Sequence, residues 1–498
     1  MNYTSTRSIL AASSAKAIAS GIAPDGGLYT PTEIPALTLE DLVAMQSLSY
    51  SELAADVLAR FMTDFTKEEL LEYARLAYDS GRFLRPGTDS REAVGLRELH
   101  DGEHLLELYF GPTSAFKDMA LQIMPRLLTA SLKKLGEERG VCILVATSGD
   151  TGKAALEGFR DVEGTRIGVY FPDGGVSEIQ RMQMETQEGS NVRVWAVQGN
   201  FDDCQTGVKN IFASADANAE IGANGIMLSS ANSINWGRLA PQIVYYIWSY
   251  LELCKRGDIS MGQQVNVCVP TGNFGNILAA YIARRMGMPF SKLICASNAN
   301  NVLTDFIKTG VYDRRRTFYR TLSPSMDILI SSNVERLLYY LTDGDTAYVA
   351  EKMQELKETG TYTLTGKALE ELQSVFLSGC CDDEMTADTI RDVWEENHCL
   401  IDTHTAVAVR VLRDILPEYE TIIASTASAY KFSDGVLAAL TGDHADGFDA
   451  IDRLQHHTGS AVPAPLDSLR GRAVRFDTVI EKDRMESAAV DFCRSFDL

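Results

Sequence analysis

The sequence has no regular cysteine pattern. It contains nine cysteines, an odd number, and no Cys-x-x-Cys pair among its 498 residues. Disulfide-stapled domains and thiolate zinc sites both need paired, regularly spaced cysteines, so neither is predicted. Unpaired cysteines in a chain of this length are typical of a reducing compartment, and we expect the protein to be cytoplasmic.

Long apolar segments and a surplus of positive charge are also missing. No run of about 18 apolar residues is present, and the N-terminus lacks the apolar core of a signal peptide, so no membrane association is predicted. The 46 lysines and arginines are outnumbered by 68 aspartates and glutamates, which gives a formal net charge of −22. Such a surface repels nucleic-acid phosphates, so we expect no nucleic-acid partner either.

Several common catalytic signatures are absent as well. The sequence has no HExxH or Cys/His metal spacing, no GxSxG nucleophile elbow, no P-loop and no GxGxxG dinucleotide fingerprint. We therefore predict no metal site, and any phosphate-binding loop in this chain must be of another type.

What the chain does contain, from about residue 104 onward, is an alternation of short β-rich runs with helical stretches. The predicted strands are Leu105–Tyr109, Val141–Ala146, Arg166–Phe171, Val192–Val197, Val265–Val269, Leu293–Ser297 and Thr421–Ser425. The predicted helices between them are Lys117–Leu132, Thr151–Phe159, Val176–Glu188, Cys204–Ala215, Arg238–Leu253 and Asn276–Met286. This alternation predicts an α/β fold in which helices cover parallel sheets, with ligands at the carboxyl ends of the strands.

The periodicity also suggests domain boundaries. Residues 1–90 carry helical spacing and are predicted to form an N-terminal domain, whereas residues 91–440 form the α/β core. Within that core we expect a smaller α/β subdomain at about 112–230 and a mainly helical insertion at about 300–400. Residues 441–498 are predicted to be a C-terminal extension.

Two glycine-containing loops follow predicted strands. In the first, Gly272, Asn273, Phe274, Gly275 and Asn276 lead into a helix, and backbone N–H groups at such a junction can cradle a phosphate. An ordinary strand-to-helix turn has the same appearance. In the second, Ala146–Gly152 is rich in small and hydroxyl residues. Its alternative role is simple capping of the next helix.

Lys117 stands at the start of a predicted helix, after a strand and a Gly-Pro turn. A lysine is unfavourable near the positive end of a helix dipole, and a buried, electropositive setting lowers the pKa of its amine and makes it a nucleophile for carbonyl groups. A single lysine is more often a solvated surface residue. The combination of Lys117, a phosphate cradle and a hydroxyl-rich loop, each at a strand end, predicts a pyridoxal-phosphate site with Lys117 as its Schiff-base lysine.

A fourth polar segment, Ser425–Phe432, follows the last predicted strand. Thr426 or Ser428 can place a neutral hydroxyl against the ring nitrogen of the cofactor. A polar turn without function is the alternative interpretation.

Eight segments of the chain resemble threonine synthase, of the tryptophan-synthase-β type of pyridoxal-phosphate enzymes (fold type II). The resemblance covers residues 1 to about 435 and is carried by these segments: Tyr3–Arg7, Gly21–Tyr29, Thr113–Asp118, Thr147–Gly152, Ser233–Arg238, Gly272–Asn276, Ser323–Ile328 and Asp402–Val407. It implies two open, mostly parallel sheets covered by helices, with a helical N-terminal segment and a mainly helical insertion.

The resemblance also implies residue roles. Lys117 would be the catalytic lysine that binds pyridoxal 5'-phosphate. The other cofactor-binding residues would be Gly272, Asn273, Phe274, Gly275, Asn276 and Thr426. Weaker candidates for substrate binding are Ser148, Asp150, Thr151, Asn235 and Arg238. Two departures from the family pattern are Lys153, where a small residue is common, and Ala429-Tyr430, where a proline-containing pair is expected.

The implied activity is the conversion of O-phospho-L-homoserine and water to L-threonine and phosphate, by γ-elimination and then β-hydration. It is the last step of threonine biosynthesis. Two alternatives remain open at this point: a phospho-lyase that releases 2-oxobutyrate from the same substrate, and a catalytically inactive relative that only binds ligand. Monomer and homodimer are both compatible with the sequence.

Overall fold

The computed structural model describes residues 1–100, 102–147, 149–416 and 418–494. Its strands, in chain order, are β1 (Tyr3–Ser5), β2 (Tyr29–Pro31), β3 (Gly95–Glu98), β4 (Glu103–Glu107), β5 (Gly140–Ala146), β6 (Thr165–Pro172), β7 (Val192–Gln198), β8 (Ile226–Ser229), β9 (Val265–Pro270), β10 (Phe290–Ser297), β11 (Val311–Asp313), β12 (Thr361–Thr363), β13 (Phe376–Cys380), β14 (Thr421–Ser425) and β15 (Val479–Glu481).

The α-helices, numbered in the same way, are α1 (Ser14–Ser20), α2 (Leu39–Met45), α3 (Tyr50–Phe61), α4 (Lys67–Tyr78), α5 (Asp118–Leu121), α6 (Met124–Lys134), α7 (Asp150–Phe159), α8 (Glu178–Glu185), α9 (Phe201–Ala213), α10 (Ala215–Ala223), α11 (Trp236–Arg256), α12 (Gly275–Met286), α13 (Val302–Thr309), α14 (Val334–Leu341), α15 (Thr346–Thr359), α16 (Gly366–Val375), α17 (Asp383–Asn397), α18 (Thr403–Ile415), α19 (Ser433–Thr441), α20 (Gly447–Thr458), α21 (Ala464–Asp467) and α22 (Met485–Arg494). None of the helices in these described ranges is long and apolar enough to cross a membrane.

The N-terminal helices are specified locally and packed through aromatic residues. Helices α3 and α4 each begin with a capping box. The side chain of Ser49 or Thr66 accepts a hydrogen bond from the backbone N–H three residues later, and the glutamate at that later position accepts one from the backbone N–H of the cap residue. Phe61 at the end of α3 then meets Trp236 of α11 edge-on, with ring centroids 5.6 Å apart. The N-terminal region is thereby fixed to the helix that begins with the Ser233–Arg238 segment.

The larger sheet has the strand order β13-β10-β9-β14-β4-β3, and every pair is parallel except β3 with β4. Successive residues of β9 face opposite layers: Val267 and Val269 belong to the core that includes α11 and α12, whereas Cys268 packs with α18. The strand is buried on both faces, as expected of a strand in a parallel sheet covered by helices on both sides.

The smaller sheet has the order β15-β7-β6-β5-β8 and is parallel throughout. Helix α7 packs on β6, while α9, α10 and the C-terminal α22 form a separate apolar cluster on the sheet's other face. The two mostly parallel sheets covered by helices confirm the predicted fold class.

One local prediction was wrong. The helix expected over Lys117–Leu132 is broken into α5 and α6, and Pro125 lies in the first turn of α6, where its missing N–H is tolerated. Helix α16 ends at Val375, and β13 then joins the larger sheet beside β10. The region around 300–400 therefore contributes a strand to the core sheet as well as helices.

Candidate functional site

Lys117 lies directly beside Thr426, between the larger sheet and α5. The backbone N–H of Phe116 donates to the carbonyl oxygen of Thr426 (2.8 Å), and Ala115 forms an antiparallel bridge with Ala427. These contacts join the turn after β4 to the turn after β14. The structure thus brings together two of the residues that the sequence predicted to bind the cofactor.

The turn that leads into Lys117 is fixed by a buried carboxylate. The backbone N–H and the hydroxyl of Thr113 both donate to Asp118, each at 2.8 Å. Burial raises the pKa of Asp118 to about 6, although both hydrogen bonds act in the opposite direction. Ser114 adopts a left-handed backbone conformation (φ 57°), which an L-residue rarely adopts unless its surroundings impose it. Asp118 therefore holds the turn in a shape that this sequence would not adopt alone.

Asp150 is the centre of an ion-pair cluster that joins the two sheets. One carboxylate oxygen lies 3.2 Å from Nζ of Lys117, and the other lies 3.1 Å from Nζ of Lys431. Lys431 also donates to the carbonyl oxygen of Thr113 (2.9 Å). Asp150 begins α7 of the smaller sheet, whereas both lysines belong to turns of the larger sheet.

Two uncharged donors complete the surroundings of Asp150. The hydroxyl of Ser325 donates to it at 2.8 Å, and the side-chain amide of Gln180 donates at 3.0 Å. Gly149, which precedes it, has φ 133°, and a Cβ at that position would collide with Gln180. A glycine is required there, because it alone permits this backbone and this close approach.

The pKa values of Asp150 and Lys117 are both lowered in this cluster, and a lowered pKa makes a lysine more nucleophilic. Burial alone would raise the pKa of Asp150, but the charges of Lys431 and Lys117 outweigh it and hold the pKa well below the ordinary value. Burial lowers the pKa of Lys117, Asp150 opposes this, and the like charge of Lys431 lowers it further. The Lys117 amine is therefore more easily deprotonated than an exposed lysine.

His404 connects Asp402 to the segment that carries Ser325. The backbone N–H of Ser325 donates to Nε2 of His404 (3.1 Å), so Nδ1 carries the imidazole proton and donates it to Asp402 (2.8 Å). All three groups are buried or half-buried. This chain of hydrogen bonds fixes the position from which the Ser325 hydroxyl reaches Asp150.

The predicted phosphate loop follows β9 and is shaped by close contacts. A Cβ at Gly272 would lie 2.7 Å from the carbonyl oxygen of Ser325, so no larger residue fits. Phe274 has φ 60°, packs against Phe376 with ring centroids 5.7 Å apart, and immediately precedes α12. The loop is thus held against the same Ser325 segment that contacts Asp150.

The start of α12 offers unpaired backbone donors. The N–H of Leu278 donates to the carbonyl of Phe274 (3.0 Å), and the amides before it in the first turn have no helical acceptor. The side chain of Asn276 turns away toward α11, where its oxygen accepts from the hydroxyl of Tyr245 (2.7 Å). Asn273 is exposed. The loop can therefore bind a phosphate through its backbone amides. Gly272 of the loop packs against Ser325, Ser325 donates to Asp150, and Asp150 pairs with the Lys117 amine.

The predicted substrate residues are in different situations. Ser148 lies outside the described residues, and Thr151 is half-buried in the first turn of α7. The amide of Asn235 donates to the carbonyls of Ile18 (2.9 Å) and Ser230 (3.1 Å), and its oxygen caps α11. Both amide donors of Asn235 are therefore committed to the fold.

Arg238 retains unused hydrogen-bonding capacity. It is 4% exposed, and Nη1 donates to the carbonyl of Ala231 (2.9 Å). Its buried Nε has no partner among the described residues. Burial lowers the pKa of Arg238 to about 10, and its charge in turn lowers the pKa of Lys117. Of the two weaker candidates for the substrate phosphate, Arg238 is the one with a free donor.

The sequence interpretation assigned no role to Lys431, Ser325 or His404. All three lie in segments that had been singled out, at Ser425–Phe432, Ser323–Ile328 and Asp402–Val407. A signal was available for Lys431, because a lysine flanked by Tyr430 and Phe432 after a buried strand is poorly placed for solvent exposure. Nothing in the sequence indicated that its partner would be Asp150.

Two family models match most of the chain, and known proteins are similar to it along most of its length. The family model described as threonine synthase N terminus matches residues 2–78, and the one described as pyridoxal-phosphate dependent enzyme matches residues 92–424. Threonine synthase from Pseudomonas aeruginosa is 40% identical over 451 residues, which cover 89% of this chain and 91% of that protein. Human threonine synthase-like 1 is 39% identical over 437 residues, 85% of this chain, and the chain spans 58% of that protein's length.

A solved structure shows the same likeness. The crystal structure of PLP-bound threonine synthase from Brucella melitensis matches with a TM-score of 0.88 at 37% identity, and the match covers 99% of this chain and 100% of that chain. Pyridoxal phosphate is accordingly the cofactor, and the residues described above fit it: a buried amine of lowered pKa, a loop of free backbone amides, and Thr426 beside the lysine. The chain belongs to the threonine synthase family of pyridoxal-phosphate-dependent enzymes.

Proposed function

We propose that this protein converts O-phospho-L-homoserine and water to L-threonine and phosphate, with Lys117 as its catalytic lysine. The observation that carries the proposal is the position of the Lys117 amine, buried between the two sheets with Asp150 at 3.2 Å and Lys431 on the other side of that carboxylate. Family membership supports the same reaction.

The cofactor would be held from the larger sheet. Backbone amides of the Gly272–Asn276 loop would bind its phosphate, Thr426 would meet its ring nitrogen, and Lys117 would attach it covalently. The chemistry that bound pyridoxal phosphate supplies is a sink for the electrons left when a bond at the substrate's Cα is broken.

The chain's own residues would carry the proton transfers. Nζ of Lys117, once released by the substrate amine, would take the Cα proton; a Cβ proton would be lost next and phosphate would leave from Cγ. A proton would then return to Cγ, water would add at Cβ, and a proton would return to Cα, so that one water is consumed for each phosphate released. A base whose pKa is lowered toward neutrality can both accept and return protons at physiological pH.

Asp150 and Lys431 would set the state of that base. Lys431 keeps Asp150 ionised and disfavours a second positive charge on Lys117, while Asp150 holds the Lys117 amine in place. Arg238 would bind the substrate phosphate, because guanidinium groups match phosphate oxygens geometrically. Substrate binding by Ser148 and Thr151 stays a prediction from the sequence.

Product balance tests the proposed reaction. Incubation with O-phospho-L-homoserine should yield L-threonine and phosphate in equal amounts, and no 2-oxobutyrate. Phosphate released together with 2-oxobutyrate would instead identify a phospho-lyase. A protein that binds pyridoxal phosphate but releases no phosphate would be an inactive binding relative.

A further inference from the structure

A second cavity lies away from the cofactor site, between the N-terminal domain and the region around 300–400. It measures about 310 Å³ and is bounded by the N-terminal segment, the β11–β12 ribbon, α15 and residues 330–335. Its apolar walls include Leu28, Ile234, Met353 and Leu356. In the part of the chain that the structure describes, no residue predicted to bind cofactor or substrate lines it. A concave, mostly apolar pocket of this size is sufficient for a small organic ligand.

Positive charge without a matching carboxylate lies at this cavity. Arg7 lines the cavity, but its charge is neutralised by Glu335 through two hydrogen bonds of 2.8 Å. Arg314 and Lys357 also line the cavity, and neither forms an ion pair with any described residue. Arg314 donates one hydrogen bond to the carbonyl of Lys357 (3.2 Å), which leaves most of its guanidinium donors available. In a chain with a net charge of −22, two unneutralised cations beside an apolar cavity favour an anionic ligand.

An aromatic pair forms part of the cavity wall. The ring of Tyr362, a residue that is 2% exposed, stacks on the ring of Tyr312, with centroids 5.2 Å apart. The Tyr312 hydroxyl accepts from the N–H of Ser331 (2.7 Å) and donates to the carbonyl of Leu329 (3.2 Å). The Tyr362 hydroxyl is closed off from the cavity and makes no hydrogen bond to a described residue, so the pair contributes apolar surface to the wall.

The cavity wall supports the phosphate loop. The hydroxyl of Ser331 donates to the carbonyl of Gly272 (2.7 Å), and the backbone N–H of Asn333 donates to the carbonyl of Asn273 (3.2 Å). Ser331 lines the cavity, and Asn333 lies between the lining residues Ser332 and Val334. Whatever fixes residues 330–335 therefore also fixes the backbone of the loop.

We propose that this cavity binds a small carboxylate with an apolar body, and that its occupancy steadies residues 330–335 and, through them, the Gly272–Asn276 loop. Arg314 and Lys357 pair with the carboxylate, and the apolar walls hold the hydrocarbon. An ammonium group is not expected on the ligand, since Glu335, the one carboxylate among the described residues of the wall, is already paired with Arg7.

Calorimetric titration of the holoenzyme with 4-methylpentanoate tests the binding. One saturable site is expected, and the neutral 4-methylpentanamide should bind at least about tenfold more weakly, because it lacks the charge. The double variant R314A/K357A should lose about tenfold in affinity for the carboxylate. The matched control is Arg315→Ala, since Arg315 is an exposed neighbour that pairs with Asp313 (2.9 Å) and does not line the cavity.

Two further measurements separate a binding role from a structural one. The ligand-free R314A/K357A protein should keep the melting temperature of the unmodified protein, because neither side chain forms an ion pair with a described residue. The dissociation rate of pyridoxal phosphate should fall severalfold when 4-methylpentanoate is present. The proposal is overturned if binding of 4-methylpentanoate is not saturable or if the cofactor dissociation rate is unchanged. It is also overturned if the amide binds the unmodified protein as tightly as the carboxylate does, or if R314A/K357A binds the carboxylate as tightly as the unmodified protein does.

Discussion

The two sheets contribute to the site in different ways. The larger sheet supplies groups held by the backbone: the Gly272–Asn276 loop after β9, Lys117 after β4 and Thr426 after β14. The smaller sheet supplies Asp150, an ionised side chain whose charged partners both come from the larger sheet. The cofactor side can therefore be complete by itself, whereas the position and charge of Asp150 depend on contact between the sheets.

The largest expected effect is loss of the amine on the larger sheet. Lys117→Ala should reduce threonine formation by more than about 10³-fold, because it removes both the covalent attachment and the base. The yellow colour of the holoenzyme should be lost with it. Lys209→Ala, at an exposed lysine on α9, is the control and should retain full activity. Undiminished turnover in Lys117→Ala would end the assignment.

The second largest effect is expected from breaking the ion pair between Lys431 and Asp150, which joins the two sheets. Lys431→Met leaves Asp150 buried with one cation fewer, so the free energy of unfolding should fall by about 3–5 kcal/mol and turnover by about 10²-fold. Chemical denaturation and initial rates measure the two effects. Lys431→Arg keeps the charge and should retain more of both.

The same variant has a pH signature. Lys431 lowers the pKa of Lys117, so its removal raises that pKa and leaves less neutral amine at pH 7. Covalent loading of the apoprotein with pyridoxal phosphate, followed by absorbance, should therefore shift to higher pH in Lys431→Met. A loading profile that stays in place, or moves to lower pH, would show that Lys431 has only a structural role.

The cofactor loop can be weakened without touching the ion pairs. Gly272→Ala places a Cβ 2.7 Å from the Ser325 carbonyl, a backbone atom that cannot rotate away, and pyridoxal phosphate affinity should fall about tenfold. Gly275→Ala is the matched variant, because its Cβ would lie at an ordinary 3.4 Å from the Asn333 side chain. Equal losses in both variants, measured by equilibrium titration of apoprotein, would contradict the steric argument.

The smallest effect separates the two candidates for the substrate phosphate. Asn235→Ala should lower the free energy of unfolding by about 1 kcal/mol through loss of the α11 cap, with little change in KM. Arg238→Gln should instead raise KM for O-phospho-L-homoserine while leaving pyridoxal phosphate affinity near that of the parent. An Asn235→Ala protein of full stability and raised KM would reverse the assignment.

Much of the part of the site that the larger sheet supplies could be predicted from the sequence. The carboxyl ends of parallel strands meet at one edge of a sheet, so separate polar turns after β4, β9 and β14 were expected to converge. The Lys117–Asp150–Lys431 cluster could not be predicted, because it depends on how the two sheets face each other. The roles of Ser325 and His404 could not be predicted for a similar reason, because these two residues contact each other although 79 positions separate them in the chain.

The local error has a local cause. Lys117–Leu132 reads as one helix from its periodicity, but α5 ends at Leu121 and α6 begins at Met124. Pro125 has no N–H to donate to the carbonyl four residues before it, so it cannot continue α5 and lies instead in the first turn of α6.

The lysine that carries the cofactor can be identified directly. Two lysines contact Asp150, and we assign the cofactor to Lys117 and not to Lys431. Borohydride reduction of the holoenzyme fixes the cofactor to its lysine, and peptide mapping by mass spectrometry then locates it. We expect one pyridoxyl group per chain, on Lys117. A pyridoxyl group on Lys431, or on any other lysine, would contradict this assignment.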